Sequence, residues 1–174
     1  FAEQKEIVVC RINGELKDLW TDLKDGDVVE SVSITSPDGL NVLRHSTAHV
    51  MAQAVQQVFS QTRLGIGPPI KDGFYYDFDP ERPFNPDDLE KLESAMRKII
   101  KEGRPFVRNV LPREKAIRYF GDKGQHFKLE LIKDLDLQQV GTYTEGDFTD
   151  MCQGPHVAST KEIKAFKLTH MAGA

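Results

Sequence analysis

His45 and His49 stand four residues apart, and far downstream Cys152 and His156 do the same. Three of the five histidines and one of the two cysteines fall into these two pairs. Imidazole and thiolate together form a ligand set suited to zinc. The same groups also serve a hydrolytic site without metal, because both titrate near neutrality and pass protons. Spacing alone does not choose between the two. Gly154-Pro155, between Cys152 and His156, predicts a turn that brings thiol and imidazole towards one point.

Three further residues bear on such a site. Lys128 lies in HFKLELI (126–132), which alternates like a strand, with Phe127, Leu129 and Leu131 on one face and Lys128 on the other. The alternative is an ordinary surface lysine. Asp150, two residues before Cys152, shares that thiol's orientation if the segment is extended, and an acid there can orient a histidine or a lysine. Tyr75 and Tyr76 point to opposite faces of a strand over 74–79, one towards the core and the other available to a cleft.

The elements that must position these residues follow from periodicity and turn chemistry. The spacing predicts a helix from about Asn41, a good N-cap, to Phe59. Leu43, Val50, Met51, Ala54, Val55 and Val58 form its apolar stripe, and at about 100° per residue the two histidines lie on the opposite side. That weakens a core-packing role for them and leaves a solvated histidine face as the plain alternative. Before this helix, EIVVCRI (6–12) and VVESVSI (28–34) read as strands, and Ser36-Pro37-Asp38-Gly39 reads as a breaker and boundary. GIGPPIKDG (65–73) is too rich in Gly and Pro for regular structure. A second helix opens on Asn85-Pro86-Asp87-Asp88, buries Leu89, Leu92, Met96, Ile99 and Ile100, and stops at Gly103. FVRNVL (106–111) reads as a strand, PREKAIRYF (112–120) as a short helix ended by Gly121, and the remainder as short strands and loops.

Composition is that of a soluble globular chain: 39% hydrophobic and 29% charged, over 174 residues. No stretch is long and apolar enough to span a membrane, and FAEQKEIVVC lacks the pattern of a secretory signal. The chain begins at Phe, as a piece of a longer protein would. Two cysteines make no disulfide framework and are expected as reduced thiols. Twenty-three basic against 27 acidic residues, a net charge of −4, argue against a dedicated nucleic-acid binder but not against a local basic patch.

Four separated motifs carry a resemblance. HSTAHVMAQAV (45–55), IGPPIKDGFYYDF (66–78), DMCQGPH (150–156) and KAFKLTHMAGA (164–174) resemble, in order, the editing domain of bacterial threonyl-tRNA synthetases, over about residues 40–174. Residues 1–37 resemble the later half of the small β-grasp (TGS) domain that precedes it, without its opening strands. The resemblance implies an α+β fold: a partial β-grasp segment, then a mixed or antiparallel sheet packed against a long helix and further helices. Alanyl-type editing domains share the two-histidine helix and the Cys-x-x-x-His segment, but the Gly-Pro inside it and the KAFKL tail favour the threonyl type.

The implied activity is hydrolysis of serine mischarged onto threonine tRNA, in the cytoplasm, with no membrane partner. His45, His49, Cys152, His156 and Lys128 would form the catalytic pocket, with Tyr76 and Asp150 binding substrate. Gln153 departs from the family's usual basic residue after the cysteine, which puts a contact to the tRNA end in doubt. The threonyl type implies no metal in this pocket, whereas alanyl relatives use zinc. ATP, magnesium and a further zinc would belong to an aminoacylation core outside this chain, as would the contacts of a homodimer. The competing readings are an alanyl-type zinc deacylase, a non-catalytic tRNA-binding module, and a domain in which zinc only holds the fold.

Overall fold

The computed structural model describes residues 6–173; residues 1–5 and Ala174, at the outer ends of the two segments assigned above, lie outside the described residues. Strand β1 (Ile7–Ile12) turns through Asn13 and Gly14, both at positive φ (52° and 87°), into β2 (Glu15–Lys17). Asn-Gly suits a tight hairpin because both residues tolerate the left-handed region. Glu15 and Leu16 belong to this short strand. Strand β3 (Val29–Ser33) pairs on the other side of β1, giving an antiparallel order β2-β1-β3. Val8, Val9 and Val32 face inward and join the main core.

Helix α1 runs Pro37–Val58 and not from Asn41. The supposed breaker is its first turn. Ser36 is the N-cap, accepting from the Gly39 N–H at 3.1 Å, Pro37 follows it, and Asp38 sits in the first turn. Ser, Pro and Asp favour turns and helix starts for the same reasons, so the motif reads either way. Gly39 is required by closeness: a Cβ there would lie 1.9 Å from the Ser33 carbonyl oxygen.

The one-sided stripe also needs correction. Every residue from Ser46 to Val55 is buried, so α1 is a central helix covered on all sides, not an amphipathic one with a solvated histidine face. Helix α2 (Pro86–Glu102) packs on one side of it, with Leu92, Met96 and Ile99 in the same core as Val50 and Ala54. α2 is as expected: a capping box of Asn85 and Asp88, Pro at its start, and Gly103 in the left-handed conformation at its end.

Between the two helices, residues 63–79 form one long irregular hairpin. β4 (Arg63–Leu64) pairs with β7 (Phe78–Asp79), and β5 (Pro69–Ile70) with β6 (Gly73–Phe74). The Gly65 N–H donates to Asp77 O at 2.8 Å and the Asp77 N–H to Ile66 O at 2.9 Å, linking the two pieces. Residues 65–68 of the GIGPP stretch carry no regular strand, as expected, and pairing resumes at Pro69–Ile70; the expected strand over 74–79 is interrupted.

The remaining elements are β8 (Val107–Pro112), α3 (Arg113–Asp122), α4 (His126–Asp134), β9 (Gln139–Glu145) and β10 (Phe148–Met151). The three strands form an antiparallel sheet ordered β10-β9-β8. Helix α3 passes through Gly121 and stops beyond it, where Gly124 has positive φ. HFKLELI is a helix and not a strand. Seven residues are too few to separate a period of 2 from 3.6. Lys128 and Ile132, four apart, are the buried positions, and the run is rich in helix formers. Ala116, Phe120, Ile132 and Val140 make a second small core under α3, α4 and β9. The architecture is α+β.

Gly39→Ala should destabilise the protein by about 1–3 kcal/mol through overpacking, despite alanine's better helix propensity. A lower urea midpoint at unchanged m-value would show it; an unchanged or raised midpoint would mean that β3 yields easily.

Candidate active site

Burial of α1 decides where the histidines go. His45 is half-buried, His49 is 4% exposed, and both reach the segment after β10, His45 at Cys152 and His49 at His156. That segment turns at Gly154, which has φ 72° and whose missing side chain leaves room for the Tyr143 hydroxyl, where a Cβ would stand 2.0 Å away. The turn brings Cys152 Sγ to 3.5 Å from His156 Nε2 and 2.8 Å from His45 Nε2. The His156 ring is stacked between His45 and Phe106, at centroid separations of 4.7 and 4.8 Å.

The hydrogen bonds imply one arrangement of protons. Gly67 O only accepts, so His45 Nδ1, 3.1 Å from it, carries a proton and Nε2 has a lone pair. Ser46 Oγ accepts from the Val157 N–H at 3.1 Å and lies 2.8 Å from His156 Nδ1. We assign the Ser46 proton to that contact, which places the His156 proton on Nε2, facing the sulfur. The Gly154 N–H donates to the same sulfur at 3.1 Å, so the thiol proton is directed to His45 Nε2. The chain runs Ser46, His156, Cys152, His45, Gly67.

Burial keeps this chain neutral. It lowers the pKa of His45, although the bond to Gly67 O opposes it, and takes His49 and His156 well below the usual histidine range. It pushes the Cys152 thiol up to about 12. Reactive cysteines need the opposite, an electropositive setting that favours thiolate. Burial therefore disfavours the thiolate at Cys152.

The charge in the site sits beside this chain. Lys128 (3% exposed) and Asp150 (1% exposed) form a buried ion pair at 2.8 Å. Lys128 Nζ also donates to Gly65 O at 2.7 Å and to the Tyr76 hydroxyl at 3.1 Å, which uses all three ammonium protons. Tyr76 donates to Asp150 Oδ2 at 2.5 Å, and the Met151 N–H to Oδ1 at 2.7 Å. His49 Nδ1 lies 3.6 Å from Oδ2, too far for a hydrogen bond, so that oxygen keeps acceptor capacity. Lys128, read from sequence as facing away from its apolar neighbours on a strand, is instead on the buried face of α4.

Both groups line a cavity of about 630 Å³, within the range of small-molecule sites. Its lining combines polar side chains, His45, His49, Asp150 and Cys152, with apolar ones, among them Ile66, Pro68, Leu131 and Met151. Exposed Gln153 borders it. His45, His49, Cys152 and His156 have ligand atoms within 4.8 Å of one another. The donor types suit zinc, and Gly67 O and Ser46 are the kind of outer partner that metal-bound histidines have. The 2.8 Å between His45 Nε2 and Cys152 Sγ is a direct contact. It is shorter than the edge of roughly 3.6 Å that zinc–sulfur and zinc–nitrogen bond lengths impose on a tetrahedron.

All seven residues singled out in the sequence thus meet in one place. Four that were not singled out join them: Asp18, Ser46, Gly67 through its carbonyl, and Tyr143. Tyr143 sits in the alternation of β9, facing inward, and Ser46 adjoins His45, so both carried a faint signal. Asp18 and the Gly67 carbonyl carried none, since their roles come from backbone path.

Residues 140–173 match a family model described as the threonyl and alanyl tRNA synthetase second additional domain. Over 98% of its length the chain is 49% identical to a threonine–tRNA ligase of Carboxydothermus hydrogenoformans and 47% identical to one of Pelobacter propionicus. It is 46% identical to one of Bifidobacterium animalis over its whole length. It spans 27–28% of the length of these relatives.

Two outcomes follow from the proton arrangement. Ring 15N spectra should show His45 with its proton on Nδ1 and His156 with its proton on Nε2, and Ser46→Ala should remove the second preference; the same tautomer in both proteins would refute the assignment. The histidines also link stability to pH. His49 and His156 have folded pKa values depressed below the ordinary 6.5, so the unfolded chain binds protons first. The stability they confer is complete above about 6.5 and lost as pH falls below it. Melting temperature should drop from pH 7 to pH 5, and His49→Gln should flatten that drop.

Proposed function

Because the chain is in sequence a segment of the bacterial threonine–tRNA ligase family, we propose that its cavity hydrolyses the ester joining serine to threonine tRNA. The observation that carries this reading is that one cavity is lined by neutral imidazole and thiol groups, a buried Lys–Asp pair and apolar side chains. The first suits proton transfer, the second suits a polar amino acid, and the third suits a nucleoside. The need for such a site is energetic. One methyl group separates threonine from serine and gives a binding site only about 1–3 kcal/mol, roughly 10–200-fold, of discrimination. A second, hydrolytic pocket that admits serine and excludes the extra methyl raises accuracy beyond that.

An aminoacyl ester is already activated, so positioning and proton transfer suffice. His45 is the base. It is the least buried of the three histidines, neutral at physiological pH, and tied through Nδ1, with Nε2 accepting the Cys152 thiol proton until that hydrogen turns away and a water takes its place. It takes a proton from water, with a ribose hydroxyl of the substrate helping to place that water. The water oxygen bonds to the carbonyl carbon, the carbon–ribose oxygen bond breaks, and the ribose oxygen leaves with the proton that His45 took from the water. Asp150, through the free side of Oδ2, holds the serine ammonium. Lys128 supplies positive potential near the developing oxyanion and fixes Asp150 and Tyr76. His49, Cys152 and His156 shape the pocket. The partner is tRNA carrying serine, in the cytoplasm, and the longer ligase works as a homodimer.

We propose the metal-free form. The second reading rests on the four clustered donors: if zinc binds, His45, His49, Cys152 and His156 hold it, and it would lower the pKa of a bound water. Chelator treatment should leave deacylation unchanged. Loss of activity that zinc restores would favour the second reading.

Side-by-side deacylation of seryl- and threonyl-tRNA is the direct test: serine should be lost fast and threonine slowly. His45→Ala should slow seryl hydrolysis by roughly 10²–10⁴-fold. Lys128→Met should also cost about 3–5 kcal/mol of stability by stranding Asp150. Lys128→Met with Asp150→Asn should regain stability but not activity. If both His45→Ala and Lys128→Met hydrolyse at the wild-type rate, the reading is wrong.

A further inference from the structure

We propose that Asp18, contributed by the N-terminal sheet segment, is a positioning residue for the cavity, setting where His156 and the Cys152 thiol stand. The inference rests on the hydrolytic reading above and adds to it a residue outside the two-histidine helix and the Cys–His turn.

Asp18 follows β2 directly and is 6% exposed, an unusual place for a carboxylate unless its oxygens are engaged. Both are. Oδ1 accepts the backbone N–H of His156 at 2.8 Å, and Oδ2 accepts the Tyr143 hydroxyl at 2.7 Å. Tyr143 then packs its ring against that of His156, edge to face at 4.4 Å. Asp18 thus holds His156 twice, once by its backbone and once through the ring beside it. The Tyr143 hydroxyl is also the atom beneath Gly154, so the same carboxylate fixes the turn between Cys152 and His156. One residue away on the proton chain lies His45 Nε2, 2.8 Å from the sulfur. A shift of the turn by a fraction of an ångström changes that contact directly. Leu16, in β2, also lines the cavity. The N-terminal sheet is in this sense a wall of the site.

Trp20 provides an internal control. Its Nε1 donates to Ala158 O at 3.1 Å across the same interface, but it is 63% exposed and, among the described residues, makes no hydrogen bond to a histidine or to the 152–156 turn. A change there tests the interface without testing the positioning.

The experiment compares Asp18→Ala, Asp18→Asn and Trp20→Phe with wild type in single-turnover deacylation of seryl-tRNA. Asp18→Ala should lower the maximal rate about 10–100-fold while the half-saturating concentration stays within about twofold, since sub-ångström placement acts on the chemical step. Asp18→Asn keeps an acceptor for the His156 N–H and should recover part of the rate. Trp20→Phe should leave it unchanged. A folded Asp18→Ala variant at the wild-type rate overturns the proposal, as does an equal loss in Trp20→Phe. Should Asp18→Ala not fold, Asp18→Asn decides. The His156 backbone amide and ring nitrogen resonances must move in it and not in Trp20→Phe, and unmoved signals overturn the proposal. Should wild type fail to deacylate seryl-tRNA, the hydrolytic reading falls, and the same resonances judge Asp18 on their own.

Discussion

A charged pair taken out of water is the constraint that the rest of this structure serves. Lys128 and Asp150 are both almost fully buried. Removing ions from water costs several kcal/mol each, and only close pairing with full hydrogen bonding offsets it. The requirement is met by three separate parts of the chain. α4 brings the ammonium, β10 brings the carboxylate, and the 63–79 hairpin brings Gly65 O and the Tyr76 hydroxyl. The irregularity of the hairpin follows from this: continuous pairing would have used Gly65 O in a ladder and turned Tyr76 elsewhere. The cavity exists because those three parts are held at that distance.

Burial, more than the pair, keeps its neighbours neutral. Lys128 adds to burial in lowering His49 and Asp150 adds to burial in raising Cys152, whereas at His45 the Asp150 charge opposes burial more than Lys128 assists it. Charge is thus concentrated in two groups that do not exchange protons, and proton exchange is left to groups without charge. That division suits a reaction on an activated ester, where a neutral base must be present at physiological pH. It suits a thiolate nucleophile poorly. The cysteine, the most eye-catching residue of the motif, has the smallest part in the proposed chemistry.

Much of this was legible in the sequence, and the failures share a cause. α2 was read with its cap, stripe and stop, because each signal there is local. The seven site residues were read from pairing and motif order. The Ser-Pro-Asp-Gly start of α1 and the alternation of HFKLELI were misjudged, because each pattern is compatible with two conformations and tertiary packing chose between them. The face of α1 was misjudged for the same reason. A stripe of apolar residues shows which side must be buried, but not that the other side stays wet. His49 is buried by polar partners that lie a hundred residues away in the chain, and no local period reports them.

The same reasoning accounts for Asp18, which no pattern marked. Its neighbours in sequence are turn and loop residues, and an acid among them is unremarkable. Only the packing of the N-terminal sheet against α1, through Val8, Val9 and Val32, brings it beside the Cys152–His156 turn. Once there, burial leaves the carboxylate no alternative to firm hydrogen bonds, and the donors within reach belong to His156 and Tyr143. A hydrophobic contact between two segments thus becomes a constraint on the geometry of a polar site. The sheet's apolar face and its single inward acid act as one device, and a boundary drawn at the start of α1 would separate the site from part of what shapes it.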